Sequence, residues 1–119
     1  MQQTTFRISP APEGEMDPSD LIPRECFTTD DRREVCRPFF DTADQSVLTG
    51  VWECAPCRME FEDYPVHEMM TVISGSVTLT HADGRAETFT AGDVFFVAKG
   101  AKLTWQITET LRKFYMIVA

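Results

Sequence analysis

Residues 64–84 read Y-P-V-H-E-M-M-T-V-I-S-G-S-V-T-L-T-H-A-D-G and contain the clearest strand pattern in the chain. Residues 67–74 are rich in β-branched and large apolar side chains, and in residues 76–81 apolar side chains alternate with serine and threonine. Alternation with a period of two is typical of a half-buried β-strand. Gly75 predicts a turn between the two strands. Residues 83–84, Asp-Gly, predict a tight hairpin turn, because glycine readily adopts the positive φ that such turns need.

Short strands separated by turn signals continue on both sides of this stretch. The same kind of pattern covers residues 35–40, 46–53, 58–63, 85–90, 93–97, 102–108 and 113–119. No segment has a convincing helical period. Several short strands with turn signals between them indicate an all-β barrel or sandwich.

Residues 1–23 are predicted to form an N-terminal arm, and residues 24–119 a single barrel domain. Prolines break regular structure in the arm, at Pro10, Pro12, Pro18 and Pro23. The arm is either a loose terminus or a cover for the barrel or for a neighbouring subunit. Residues 30–34, D-D-R-R-E, are predicted to be a solvated turn.

Composition and charge exclude several classes of protein. A chain of 119 residues that is 43% hydrophobic suits one folded domain. No apolar run reaches the ~18 residues that a membrane helix needs, and the first residues lack the features of a signal peptide, so a cytoplasmic location is expected. With 11 basic and 19 acidic residues and a net charge of −8, no nucleic-acid partner is expected.

Four cysteines occur, at Cys26, Cys36, Cys54 and Cys57. In a cytosolic chain they are expected to be reduced. Cys54 and Cys57 are separated by two residues, a spacing that also occurs in redox pairs and zinc sites. The pair lies between two predicted strands and not at a helix N-terminus, which would lower a thiol pKa. A structural role is favoured, with metal binding and redox chemistry as alternatives.

Two groups of residues resemble the conserved motifs of the cupins: Glu68 and Gly75, then Gly92, Asp93 and Gly100. Residues 50–54, G-V-W-E-C, followed by Tyr64-Pro65, resemble the small single-domain cupins related to ureidoglycine aminohydrolase and to the ethanolamine-utilisation cupins. The resemblance covers residues 46–118. It implies a double-stranded β-helix, the cupin jelly-roll barrel. A small jelly roll leaves open sheet edges, and symmetric dimers are the commonest oligomers, so a homodimer is expected.

The resemblance also implies where a metal would bind. Many cupins hold iron, manganese or nickel with two histidines and a carboxylate from the first motif and a third histidine from the second. Glu68 matches the carboxylate. The histidine positions fall on Phe61 and Asp63, or on Glu62 and Tyr64, and on Leu103. Of the ligands that the resemblance implies, only Glu68 is present to hold manganese, iron, nickel or zinc, so the usual histidine metal site is not expected. An acidic alternative would join Glu60, Glu62 or Asp63 to Glu68.

The barrel interior can carry chemistry without a metal. Glu68 is the candidate general acid or base, and Tyr64 is a candidate hydroxyl donor. Trp52, Arg58 and Trp105 are candidate ligand-binding residues, the two tryptophans as flat walls. The alternative is that both tryptophans fill the core and that Glu68 pairs with a buried cation such as Arg58. His67, adjacent to Glu68 on a strand, is expected to point away from the barrel.

Four functions follow from these features. The favoured one is a small-molecule-binding cupin, because such a protein needs only a cavity and a few polar groups. The second is an enzyme of nitrogen or small-acid metabolism like ureidoglycine aminohydrolase, although that activity comes with a two-cupin chain and a histidine-containing metal site. A metal-independent isomerase or epimerase that uses Glu68 and a structural or partner-binding module are the other two.

Overall fold

The protein was analysed as a computed structural model, which describes residues 4–11, 16–19, 21–22, 24–28 and 33–119. The predictions for Pro12, Pro23 and residues 30–32 fall outside these ranges. The elements are β1 (Asp17–Pro18), a 3₁₀ turn (Arg24–Cys26), β2 (Glu34–Asp41), β3 (Val47–Cys54), β4 (Cys57–Phe61), β5 (His67–His81), β6 (Ala86–Thr90), β7 (Val94–Val97) and β8 (Leu103–Val118). The all-β prediction is confirmed.

Two long strands, β5 and β8, are shared between two antiparallel layers. The first layer, called sheet one here, has the order β1-β2-β3-β8-β5-β7 and uses the C-terminal half of β8 with the N-terminal half of β5. The second layer, sheet two, has the order β4-β8-β5-β6 and uses the other two halves. Strands that switch sheets in this way make the corners of a double-layered barrel, as the predicted jelly roll requires.

Gly75 marks the place where β5 crosses from sheet one to sheet two. The sequence predicts a turn there, and this prediction is wrong: β5 continues through the glycine, with register shifts on either side. Gly75 has a φ of 89°, and a Cβ at this position would lie 2.0 Å from the carbonyl oxygen of Thr110. The glycine therefore supplies a bulge and a close backbone approach within one strand. The sequence also predicts a break between two strands at residues 109–112. The structure has none there, because β8 is one continuous strand that pairs with β5 along both of its halves.

The core lies between the inward faces of the two layers. On β5 the inward side chains of Glu68, Met70 and Val72 are buried, whereas His67 and Met69 are exposed. The expected outward direction of His67 is thus confirmed, and its Nδ1 accepts a hydrogen bond from the backbone N–H of Lys99 at 3.1 Å.

Part of the N-terminal segment lies against the barrel. β1 pairs with β2, and Ile22 is 9% exposed and belongs to the hydrophobic core. The partly buried Leu21 packs against the same core. The boundary between an arm and a barrel at residue 23 stays a prediction. Across the described ranges, no helix is long and apolar enough to cross a membrane.

Candidate functional site

A cavity of about 210 Å³ lies between the inward face of sheet one and the N-terminal segment. Most of its lining side chains are aliphatic or aromatic. The lining residues are Leu21, Ile22, Leu48, Trp52, Phe61, Tyr64, Pro65, Val66, Glu68, Lys113, Tyr115 and Ile117. An apolar cavity with a few convergent polar groups is the usual form of a small-molecule site.

Three polar side chains of the cavity, those of Tyr64, Glu68 and Lys113, form one hydrogen-bonded cluster. The Tyr64 hydroxyl donates to Oε1 of Glu68 at 2.6 Å, and Nζ of Lys113 donates to Oε2 of the same carboxylate at 2.8 Å. All three residues are at least 96% buried, since their exposed fractions are 1%, 4% and 2%. Each carboxylate oxygen of Glu68 therefore accepts a hydrogen bond, one from the ammonium of Lys113 and the other from the phenol of Tyr64. A buried charge requires such partners.

The ammonium group of Lys113 has three further neighbours besides Glu68. Its Nζ lies 3.1 Å from Sδ of Met70, 4.6 Å from the ring centroid of Trp52 and 4.7 Å from that of Trp105. A cation over the faces of two indole rings is attracted by their quadrupoles, most strongly when it is desolvated. Glu68 and the two tryptophans together stabilise the positive charge of Lys113, which the strand register places inside the barrel.

Tyr64 is fixed by its ring contacts and by its backbone. Its ring is parallel to that of Trp105, at 3° and 6.4 Å between centroids, and meets Phe61 edge-on at 4.9 Å. Its backbone N–H donates to the carbonyl of Ala101 at 2.9 Å. Burial, followed by the charge of Glu68, raises the pKa of Tyr64 well above its usual value. The phenol therefore stays protonated and serves as a donor to Glu68.

A second buried carboxylate, Glu34, joins the N-terminal segment to the cavity wall. Glu34 accepts hydrogen bonds from Nε1 of Trp52 at 2.5 Å and from the backbone N–H of Ile22 at 3.3 Å. Burial raises the pKa of Glu34, and the bonds from Trp52 and Ile22 partly oppose that rise. Glu34 thus orients the indole of Trp52 and holds Ile22 at the cavity.

The side chains around Glu68 do not fit a transition metal. Phe61 and Leu103, at two of the expected histidine positions, are buried and apolar, and Lys113 places a cation at the carboxylate. Within the ranges that the structure covers, no three His, Cys, Asp or Glu residues are grouped to hold an ion. The acidic alternative is not assembled either, because Glu60 pairs with Arg58 and Glu62 pairs with Lys102 at the surface.

The structure brings together most of the predicted site residues. Tyr64, Glu68 and Trp52 line the cavity, and Trp105 contacts Tyr64 and Lys113 from within the core. Arg58 lies apart from them: it alternates with the buried Cys57 and Met59 on β4, points outward and has an exposed side chain. The buried cation that pairs with Glu68 is Lys113, not Arg58.

Sequence reasoning missed Lys113, Glu34 and Tyr115. A signal for Lys113 is present, because it is in phase with Leu111, Tyr115 and Ile117 on β8, all of them inward and buried. A lysine on an apolar strand face is almost never fully buried unless it is paired, so it indicates an internal carboxylate partner.

A close approach of backbone and side chain explains the glycine in the G-V-W-E-C stretch. A Cβ on Gly50 would lie 2.6 Å from the hydroxyl oxygen of Tyr115 and 2.4 Å from the carbonyl oxygen of Arg37. A residue with a side chain at position 50 would therefore displace Tyr115 from the cavity wall.

The two cysteines of the Cys-x-x-Cys pair meet in the structure. The sulfur atoms of Cys54 and Cys57 are 3.6 Å apart, and both residues are buried. A disulfide bond would need about 2.05 Å. The structural, metal and redox interpretations of this pair all stay predictions.

Comparisons with known proteins agree with the jelly-roll prediction. A family model for the EutQ-like cupin domain matches residues 42–115, more than half of the chain. No curated protein matches the chain. A crystal structure of a protein of unknown function from Pseudomonas syringae pv. tomato superposes with a TM-score of 0.82 at 26% identity, over 93% of this chain and 46% of that one. The chain therefore spans less than half of that relative's length.

Two further solved structures are EutQ proteins. The Clostridium difficile EutQ protein has a TM-score of 0.61 at 21% identity, over 73% of this chain and 68% of that one. A putative ethanolamine utilization protein from Salmonella typhimurium has a TM-score of 0.64 at 18% identity, over 88% and 98%. At these identities the two structures show the shared fold.

Proposed function

The chain belongs to the EutQ-like cupin domain family, and from that membership and the cavity we propose that it binds a small, largely apolar molecule with one neutral hydrogen-bonding group. The observation that carries this proposal is the hydrogen-bonded cluster of Tyr64, Glu68 and Lys113 in a cavity whose other walls are mostly aliphatic and aromatic.

The charge balance of the cluster selects the charge of the ligand. Lys113 and Glu68 carry opposite charges 2.8 Å apart, so their sum inside the cavity is zero. A ligand with a net charge would bring an uncompensated charge into a desolvated space. Burying an unpaired charge costs on the order of several kcal/mol of binding free energy. A neutral ligand avoids this cost.

The hydrogen-bonding capacity of the cluster selects the polar group. An ammonium has three N–H donors, of which Glu68 and the Met70 sulfur take two, and the third serves the ligand. The Tyr64 oxygen donates its only hydrogen to Glu68 and keeps acceptor capacity. A ligand group that accepts a hydrogen bond from Lys113 and donates one to Tyr64 or Glu68 matches both sides of the cluster. A primary amide or a hydroxyl is such a group.

The cavity walls favour a flat and small body for the ligand. Trp52 and Tyr115 supply aromatic surfaces, and Leu48 and Ile117 supply aliphatic ones. The cavity volume of about 210 Å³ is below the ~300–1,000 Å³ that is usual for drug-sized ligands. A single substituted ring is the size of ligand that this volume favours.

Three probes with the same ring test the proposal: benzamide, benzoate and benzamidine, which are neutral, anionic and cationic. Thermal unfolding and calorimetric titration are measured for the wild type, Tyr64→Phe and the surface control Lys102→Met. Benzamide should stabilise the wild type and the control, and Tyr64→Phe should reduce its affinity. Stronger binding of either charged probe, or no binding of any probe, contradicts the proposed neutral-ligand site.

A second candidate function is an enzyme of nitrogen metabolism like ureidoglycine aminohydrolase. The observation that favours it is the continuous chain of hydrogen bonds from Tyr64 through Glu68 to Lys113, in which protons can be exchanged at the cavity. The test is ammonia release from ureidoglycine by the wild type and by Glu68→Gln. Turnover that Glu68→Gln abolishes while benzamide still binds supports the enzyme, and no turnover in the wild type rules it out.

A further inference from the structure

Lys113 brings a primary amine to the cavity, the strongest nucleophile among the described side chains that line it. Lysine amines attack carbonyl carbons and form Schiff bases when they lie in a desolvated pocket or beside a group that takes their proton. Lys113 is 2% exposed, and its Nζ lies 2.8 Å from Oε2 of Glu68. The cavity therefore provides both conditions.

Stability alone gives little reason for the buried pair of Lys113 and Glu68. Replacement of such a pair by apolar residues of similar volume is often neutral or stabilising. Arginine would also serve a purely structural pair better, because its planar group matches a carboxylate at two points and stays charged. A lysine amine, in contrast, can give up its proton and act as a nucleophile. The residue type at position 113 thus favours a chemical role.

We propose that Lys113 forms a Schiff base with small neutral aldehydes, which makes the cavity a covalent site for this class of compound. This inference rests on the proposed binding function, in which the ligand is neutral and about one ring in size. An aldehyde oxygen that accepts a hydrogen bond from the ammonium brings the carbonyl carbon close to Nζ. The aliphatic and aromatic walls then receive the rest of the molecule.

The reaction balances within the pair of Lys113 and Glu68. The ammonium first passes a proton to Oε2 of Glu68 along their hydrogen bond, while Oε1 keeps its bond from Tyr64. The lone pair of Nζ then bonds to the carbonyl carbon, the carbonyl π electrons move to oxygen, and a proton passes from nitrogen to that oxygen. In this carbinolamine the C–O bond breaks as the nitrogen lone pair forms C=N, and the hydroxyl leaves as water with the proton held by Glu68.

The cavity stabilises the product in the same way as the free lysine. The protonated Schiff base has one positive charge at the same nitrogen and Glu68 is again a carboxylate, so the pair stays neutral. The nitrogen lies 4.6 Å and 4.7 Å from the ring centroids of Trp52 and Trp105, whose faces attract an iminium as they attract an ammonium. Burial also keeps bulk water from the C=N bond, which slows its hydrolysis.

The lysine content of the chain makes the proposal directly testable. The chain contains three lysines, Lys99, Lys102 and Lys113, of which the first two are exposed and report the reactivity of ordinary amines. The full chain is incubated with benzaldehyde and sodium cyanoborohydride, which reduces a Schiff base to a stable secondary amine, and peptide mass spectrometry locates the benzyl groups. Labelling of Lys113 should exceed that of either exposed lysine at least about tenfold, since binding holds the carbonyl beside Nζ.

Two arginine variants are matched controls. Lys113→Arg keeps a cation opposite Glu68 but has no amine to condense, so the adduct at position 113 should vanish while Lys99 and Lys102 stay labelled. Lys102→Arg makes the same change at an exposed lysine and should leave the labelling of Lys113 unchanged. Circular dichroism checks that each variant is folded. If Lys113→Arg does not fold, the distribution of label among the three wild-type lysines still decides the proposal.

Benzamide separates this inference from the proposed binding function, because its amide carbon resists attack by an amine. Benzamide that binds and lowers the labelling of Lys113 alone supports both. If benzamide binds but Lys113 is labelled no faster than Lys99 and Lys102, the Schiff-base site is overturned and the binding function stands. If benzamide does not bind and Lys113 is not labelled selectively, both are wrong.

Discussion

Replacement of Lys113 by methionine is expected to destabilise the protein severely. The substitution keeps an unbranched, apolar side chain between Trp52 and Trp105 but leaves the carboxylate of Glu68, which is 4% exposed, without its cation. Removal of one partner from a buried ion pair costs about 3–5 kcal/mol. Domains are stable by about 5–15 kcal/mol, so the loss is a large part of the total.

Urea unfolding measures this loss directly. With a urea dependence of about 1.5 kcal/mol per molar, a loss of about 4 kcal/mol lowers the midpoint by roughly 2.7 M. The double variant Lys113→Met/Glu68→Gln removes both charges and should recover at least about 2 kcal/mol relative to Lys113→Met alone, because no unpaired charge remains.

The matched control is Lys102→Met, which breaks the ion pair between Lys102 and Glu62 at the surface, where the two side chains are 61% and 85% exposed. Exposed pairs contribute about 0–1 kcal/mol, so this midpoint should hardly move. The reasoning is refuted if Lys113→Met costs no more than Lys102→Met, or if the free-energy losses of the Lys113 and Glu68 single variants simply add in the double variant.

Three more substitutions test separate parts of the account. Gly75→Ala should cost more than about 3 kcal/mol in urea unfolding, since it adds a backbone clash at 2.0 Å to the strain of a positive φ, whereas Gly84→Ala, with the same φ and open space, should cost only about 1–2 kcal/mol. Tyr64→Phe should cost about 1.5–3 kcal/mol, because it removes a hydrogen bond to a buried carboxylate; an unchanged midpoint would contradict that bond. Burial raises the pKa of Glu34 above its ordinary 4.5, so the stability that this group contributes is fully present below that pH and is lost as the pH rises through the raised value. Glu34→Gln, neutral at every pH, should therefore show a smaller fall in the urea midpoint than the wild type between pH 4.5 and neutrality, and parallel profiles would exclude the effect.

The sequence predicts several strands well because short stretches of apolar and β-branched residues between turn residues favour strands. The strand predicted over residues 46–53 is observed at Val47–Cys54, and that over residues 93–97 at Val94–Val97. Where a strand buries one face only, as Cys57–Phe61 does, its pattern has a period of two. Gly75 was misread as a turn because a glycine with positive φ serves a turn and a bulge equally well. Only the pairing of β5 with β8, which brings the backbone of Thr110 against Gly75, distinguishes a bulge from a turn.

The candidate site was only partly predictable, for a related reason. Glu68 and Tyr64 are four residues apart, and a motif identifies them locally. Lys113 is 45 residues from Glu68 and meets it only because β5 and β8 pair in one register, with Glu68 opposite Ile117. Arg58 has the right charge to pair with Glu68, but its position on β4 points its side chain away from the core. The identity of a buried ion pair therefore depends on register, which local sequence does not determine.

The cavity and the exposed outer surface of sheet one lie on the two sides of the same sheet, because consecutive residues of β5 and β8 alternate between them. Glu68 faces the cavity, and the adjacent Met69 faces outward; on β8, Tyr115 lines the cavity, and Met116 faces outward. A substitution at Met69 or Met116 therefore changes no side-chain contact of the cavity. If a folded Met69→Glu variant lost affinity for a cavity ligand, the loss would have to pass through the backbone of these two strands. An affinity equal to that of the wild type would show instead that the two faces act independently.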